Sequence, residues 1–198
     1  MQTLLIATAN RGKLSEFQQF LSSFPVRVIG LETLVDVAAC FETGSTFAEN
    51  ARQKAEYYSQ FTSRLTLADD SGLVVDALDG SPGVRSARFV SSSATDEERY
   101  REVLRLLDAV PDTSRQARFV CCLALARRGK FLDLFEGIVQ GLITREPRGK
   151  HGFGYDPIFH IPEVGNTMAE LEPEEKLVLS HRGIALKKLV DALPHLLL

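Results

Sequence analysis

Thr3 to Thr8 reads as a short buried strand. The polar turn Asn10-Arg11-Gly12 follows, and a helix runs from about Lys13 to Leu21. Strand, turn and helix in immediate succession commit the chain to an α/β architecture, because helices cover the faces of a buried sheet. Two capping boxes extend the pattern. In Thr46-Phe-Ala-Glu49 the threonine accepts from the amide three residues on and the glutamate reaches back. Phe47, Ala51, Ala55 and Tyr58 then recur at helical spacing. Thr95-Asp-Glu-Glu98 opens another helix, whose apolar stripe is Tyr100, Val103, Leu104 and Leu107.

Leu65 to Ala68 is a short apolar strand that ends in Asp69-Asp70-Ser71-Gly72, and Leu73 to Leu78 reads as a second strand closed by Asp79-Gly80-Ser81-Pro82-Gly83. Ala117 to Ala126 and Phe131 to Thr144 flank Arg127-Arg128-Gly129-Lys130, which predicts a long β-hairpin. After the glycine-rich Gly149 to Gly154, a last helix is expected from about Ser180 to Leu193, with Ala185, Leu186, Leu189, Val190 and Leu193 inward. The expected fold is α/β: an elongated, mixed, twisted sheet flanked by helices. Its 198 residues suit one domain, 1–198, with a sizeable core.

Composition narrows the function. Lys and Arg number 23 against 26 Asp and Glu, so the formal charge of -3 argues against a nucleic-acid partner, which would call for a basic excess. Cys40, Cys121 and Cys122 are odd in number and hold no C-x-x-C, so no disulfide framework is expected; that suits a cytoplasmic setting. The four histidines lack zinc-ligand spacing. The apolar start is too short for a signal segment, and no stretch approaches the roughly 20 apolar residues of a membrane span, so no membrane partner is expected.

Four segments are candidates for chemistry. Thr8-Ala-Asn-Arg-Gly-Lys13 lies between a strand and a helix, where backbone amides and a lysine suit a phosphate, although the same pattern fits a solvated connection. Asp69-Asp70-Ser71-Gly72 sets two carboxylates beside an apolar run, which needs a neutralising partner such as a hard cation; a capped turn with exposed aspartates is the other reading. Glu42 and Glu49 are further carboxylates for the same cation. In Gly152-Phe-Gly-Tyr-Asp156, Phe153 offers a face for a base and Asp156 an acceptor for a base N–H, or the segment is a turn around a buried aromatic. Lys176 with Ser180-His-Arg182 supplies donors, or a solvated face.

Taken together, these segments resemble the inosine triphosphate pyrophosphatase family. The matching stretches are A-T-A-N-R-G-K at 7 to 13, F-E-T-G-S-T-F-A-E-N-A at 41 to 51 and A-D-D-S-G-L-V-V-D-A-L at 68 to 78. They continue with P-G-V-R-S-A-R-F at 82 to 89, G-F-G-Y-D-P-I-F at 152 to 159 and K-L-V-L-S-H-R-G at 176 to 183, collinear over nearly the whole chain. The resemblance implies two lobes with a central cleft for a nucleotide, a homodimer, and Mg2+ as cofactor. It implies hydrolysis of ITP, dITP and XTP to the monophosphate and pyrophosphate, which clears such nucleotides before they enter DNA and RNA. Asp70 is then the general base and a metal ligand with Glu42. Substrate falls to Thr8, Ala9, Asn10, Arg11, Gly12 and Lys13, to Ser71, to Phe153, Gly154, Tyr155 and Asp156, and to Lys176, His181 and Arg182. Ala9 stands where the family usually has glycine, which is compatible with a negative φ there. Competing readings are a pyrophosphatase for pyrimidine or methylated nucleotides, a nucleotide-binding module without turnover, and a structural dimer.

Overall fold

The computed structural model describes residues 2–196, with side chains to Leu193. The elements in order are β1 (Gln2–Ala7), α1 (Arg11–Leu21), β2 (Val26–Ile29), α2 (Phe47–Ser59), β3 (Leu65–Val75) and α3 (Asp96–Leu106). There follow β4 (Gln116–Arg127), β5 (Lys130–Ile143), β6 (Phe159–Ile161), β7 (Asn166–Thr167), α4 (Pro173–Leu179) and α5 (His181–Leu196). One mixed sheet takes the order β2-β1-β3-β4-β5-β6-β7. β1 runs parallel to β2 and β3, whereas β5/β6 and β6/β7 are antiparallel. No helix among the described residues is long and apolar enough to cross a membrane.

The chain divides into two compact units. One comprises residues up to Asp70, Cys121–Glu136 and those from Ala185 onward; the other comprises Ser71–Val120 and Gly137–Ile184. In the first, β1 lies between two parallel neighbours, so Leu4, Leu5, Ile6 and Ala7 are all buried rather than alternating. Phe17 and Leu21 of α1 and Leu186 and Leu189 of α5 complete its core with Leu65 and Leu67. The second unit packs Val103 and Leu107 from the α3 region with Leu73, Val75, Phe119, Tyr155 and Phe159.

Local rules account for much of this. Both capping boxes form: Thr46 accepts from Glu49 N and Thr95 from Glu98 N, each glutamate returning the bond. The hairpin between β4 and β5 closes through Arg128 (φ 52°) and Gly129 (φ 76°), the two left-handed residues of a tight two-residue turn. One expectation is corrected and one element is added. Residues 65–75 form one strand rather than two, because Asp69, Asp70 and Ser71 find side-chain partners and leave the backbone free to stay extended. The last helix is preceded by a separate one, α4. Ser180 divides them with extended backbone (ψ 157°) and accepts from Gly183 N at 3.1 Å.

Gly72 is needed inside β3 for space rather than for its dihedral freedom. A Cβ there would lie 2.2 Å from Ser86 Oγ and 2.8 Å from Gly83 O. That hydroxyl accepts from Leu73 N at 2.9 Å and donates to Gly83 O at 2.6 Å, so it cannot step aside without breaking both bonds. Gly72→Ala is expected to cost about 1–3 kcal/mol, the usual range for overpacking. The urea midpoint should fall at unchanged slope; an unmoved midpoint contradicts the packing argument.

Candidate active site

In the first unit, the end of β1 delivers the chain to α1. Asn10 is the N-cap and accepts from Lys13 N at 3.0 Å, while its own amide donates to Thr8 Oγ1 at 3.2 Å. Ala9 is exposed and is not among the positive-φ residues, so alanine replaces glycine there without backbone strain. Arg11, Gly12 and Lys13 form the first turn of α1, whose leading amides have no partner within the helix. The Lys13 side chain folds back to pair with Asp69 Oδ1. The other Asp69 oxygen accepts from the Cys121 thiol at 3.4 Å. Asp69 is thereby a fully buried anchor for Lys13.

Asp70, one residue on, is 7% exposed, and its Oδ2 is buried with no hydrogen-bond partner. Lys54 Nζ lies 3.4 Å from Asp70 Oδ1, 3.0 Å from Glu42 Oε1 and 2.7 Å from the Asp69 carbonyl. Burial pushes the Asp70 carboxyl above the usual carboxylate range, outweighing the attraction of Lys54 and Lys13. Burial also works against the charge of Lys54, but Asp70, Glu42 and Asp69 together outweigh it and hold that ammonium above its ordinary value. Two lysines thus face three carboxylates, a formal balance of one negative charge. Such a cluster repels a triphosphate unless a further cation joins it.

Among the described residues, no group of three His, Cys, Asp or Glu side chains is arranged to hold a metal. The residues present still fit magnesium, which is usually bound by one or two carboxylates plus substrate phosphates. Glu42 and Asp70 are two carboxylates of that kind held close to one lysine, and the orphaned Asp70 Oδ2 is an oxygen with an unused lone pair. Glu49 is not part of this set; its carboxylate is spent on Ser45 and Thr46 in the α2 cap.

The second unit carries a different cluster. Lys176 of α4 donates to Asp156 Oδ2 at 2.7 Å, and both are buried. The same oxygen accepts from Phe153 N at 2.9 Å. Gly152, at φ 77°, permits this: a Cβ there would fall 2.1 Å from Asp156 Oδ2 and 3.0 Å from Lys176 Nζ. Lys176 Nζ and the Arg182 guanidinium lie 4.6 and 5.8 Å from the Phe153 ring centroid. Arg182 also donates to Ser71 Oγ at 2.8 Å, and His181 stacks on Phe119 with ring centroids 4.7 Å apart.

These contacts gather Ser71, Phe153, Asp156, Lys176 and Arg182 into one set. Tyr155 stands apart: its hydroxyl donates to Ser86 O at 2.8 Å within the buried core, leaving only its backbone for a ligand. Gly154 N donates to Asp96 Oδ2 at 2.7 Å. Sequence reasoning missed Lys54 and Asn50. Their spacing of four on α2 places them on one helix face, beside the apolar stripe, and that was the available signal. A cavity of about 350 Å³ in this unit is lined by Arg115, Arg145, Arg148 and His160 among others, and by none of the candidate residues. Arg115 there is spent on the carbonyls of Ile143, Leu107 and Thr144, so its role is to tie backbone segments together.

Fold and side chains define a mixed-sheet α/β protein with buried lysine–carboxylate groups at strand and helix ends. The Ham1 family model matches residues 4–192. Over 189 residues the chain is 50% identical to the dITP/XTP pyrophosphatase of Geobacillus kaustophilus, covering 96% of this chain and 93% of that one. The HAM1 protein of Coxiella burnetii superposes with a TM-score of 0.86 at 43% identity, over 98% of this chain and 100% of that one. The Ham1 protein of Staphylococcus aureus gives 0.87 at 38%, over 98% and 99%. The chain belongs to the Ham1 family.

Proposed function

We propose that this protein hydrolyses aberrant purine nucleoside triphosphates (ITP, dITP and XTP) to the monophosphate and pyrophosphate. The reading extends to removal of these nucleotides before they enter DNA and RNA. It is supported by kinship with relatives named dITP/XTP pyrophosphatase. The single structural observation behind it is Asp70, buried beside Lys54 and Lys13 with one carboxylate oxygen unused.

In this reading the α1 N-terminus, with Thr8 to Lys13, takes the phosphates, and Lys13 is aimed by Asp69. Asp70 accepts a proton from a water whose oxygen forms a bond to the α-phosphorus. The bond from that phosphorus to the α,β-bridging oxygen breaks, and pyrophosphate leaves with the electron pair. Glu42 and Asp70 would hold Mg2+, which supplies charge neutralisation at the phosphates. Phe153 takes the base by stacking, and Lys176, His181 and Arg182 offer donors to a 6-oxo group. Asp156 then acts chiefly by fixing Lys176 and the Phe153 amide, since its Oδ2 already serves both.

A substrate panel with and without magnesium tests the proposal; pyrophosphate release from ATP as fast as from ITP, or from neither, overturns it. The proposal includes a cytoplasmic homodimer. Sedimentation should give twice the 21.9 kDa chain mass, and a monomer at micromolar concentration removes that part.

A further inference from the structure

Lys54 occupies the space between the two carboxylates assigned above to a divalent cation. Its ammonium lies 3.0 Å from Glu42 Oε1 and 3.4 Å from Asp70 Oδ1, with the Asp69 carbonyl at 2.7 Å as a third acceptor. An ammonium donates to the same oxygen lone pairs that a hard cation coordinates. Two cations on these carboxylates repel each other, with an energy that rises as the inverse of their separation, so the presence of one weakens the hold on the other. Lys54 nevertheless leaves one acceptor unused: Asp70 Oδ2 is buried and receives no hydrogen bond. The ammonium therefore balances these carboxylates incompletely.

We infer that Lys54 is a resident counter-cation, holding Glu42 and Asp70 together until a divalent cation displaces its ammonium, which then moves to the phosphates of the incoming nucleotide. This rests on the metal reading of the proposed function. Its consequence is a coupling between ligands. Metal alone binds weakly because it must evict Lys54, and a triphosphate strengthens metal binding by receiving the evicted charge. The side chain is placed for this by α2, whose Asn50, one turn earlier, is buried and accepts from Gly44 N at 2.7 Å, bracing the segment that carries Glu42.

The test is calorimetric titration of the full chain with Mn2+ in the absence of nucleotide. Lys54→Met and Lys54→Gln should each bind Mn2+ at least about 10-fold more tightly than the wild type, as expected when a competing charge at this range is removed. Lys54→Arg, which keeps the charge, should stay within about threefold. Adding α,β-methylene inosine triphosphate should raise Mn2+ affinity more in the wild type than in Lys54→Gln. Binding by Lys54→Gln no tighter than the wild type overturns the inference. Glu42→Gln separates the two layers: if it leaves Mn2+ affinity unchanged, the metal reading itself fails, and the role of Lys54 with it. If Glu42→Gln weakens binding while Lys54→Gln does not tighten it, only the role of Lys54 fails.

Discussion

Asp70→Asn should lower the turnover of ITP by at least about 100-fold, the scale of a lost general base. The substitution keeps the size of the side chain and removes its charge, so the loss is chemical rather than architectural. Asp70 is suited to the role by its surroundings. It is buried, one oxygen has no partner, and burial holds its carboxyl above the usual carboxylate range despite Lys54 and Lys13. A base whose proton affinity is raised takes a proton from water more readily than an exposed aspartate does.

The same shift makes a second, independent readout. Because the folded value is raised, the folded chain binds this proton more tightly than the unfolded chain. The associated stability is fully present below the unfolded value near 3.9 and is lost as pH rises through the folded value. Above the folded value the ionised Asp70 is therefore a net cost to the metal-free protein. Metal-free Asp70→Asn should melt at the same temperature as the wild type, or higher, at pH 7. Near-normal turnover would remove Asp70 from the chemistry, and a large drop in melting temperature would assign the activity loss to unfolding instead.

The second large effect concerns the base. ITP should be hydrolysed with a kcat/KM at least about 100-fold above that of ATP, because a hydrogen bond from a charged donor to the 6-oxo group contributes about 1.5–3 kcal/mol and more than one is at stake. Hypoxanthine presents a 6-oxo acceptor and an N1–H donor; adenine presents a 6-amino donor and a bare N1. Lys176 and Arg182 are donors only. Both are buried beside Phe153, where adenine's amino group would meet cations rather than acceptors. Purine riboside triphosphate, which lacks any 6-substituent, should behave like ATP, since it too offers those donors no 6-oxo acceptor. Using altered substrates avoids breaking the Lys176–Asp156 pair, whose disruption would strand a buried charge at about 3–5 kcal/mol. Equal rates for ITP and ATP would defeat this account of specificity.

What the sequence disclosed follows from where the information lies. The Thr46 and Thr95 caps and the Arg128-Gly129 turn are local chemistry within four residues, and each was legible. The buried run of β1 was equally plain. β3 was not, because Asp69-Asp70-Ser71-Gly72 has the composition of a turn. It stays extended between its sheet neighbours β1 and β4, with Lys13, Lys54 and Arg182, distant in sequence, partnering its polar side chains. β6 and β7, at three and two residues, exist by pairing with neighbours and leave almost no periodicity. α4 begins at Pro173 after an acidic stretch and spans seven residues, too few for a visible stripe. At the site, resemblance named the carboxylates but not their counter-charges. Lys54 and the Asp69–Lys13 pair emerge only when side chains 15 and 56 residues apart meet.

The bond that breaks is the matter on which the mechanism turns. Phosphorus NMR of ITP incubated with the enzyme and magnesium reads it directly. In oxygen-18-labelled water, attack at the α-phosphorus gives inosine monophosphate and pyrophosphate in equal amounts, with the isotope shift on the monophosphate resonance and no inosine diphosphate at any time; the shift on pyrophosphate instead would mean that the β-phosphorus is attacked. Inosine diphosphate with inorganic phosphate would mean that the γ-phosphorus is attacked, and the assignment of Asp70 to a water at the α-phosphorus would be wrong.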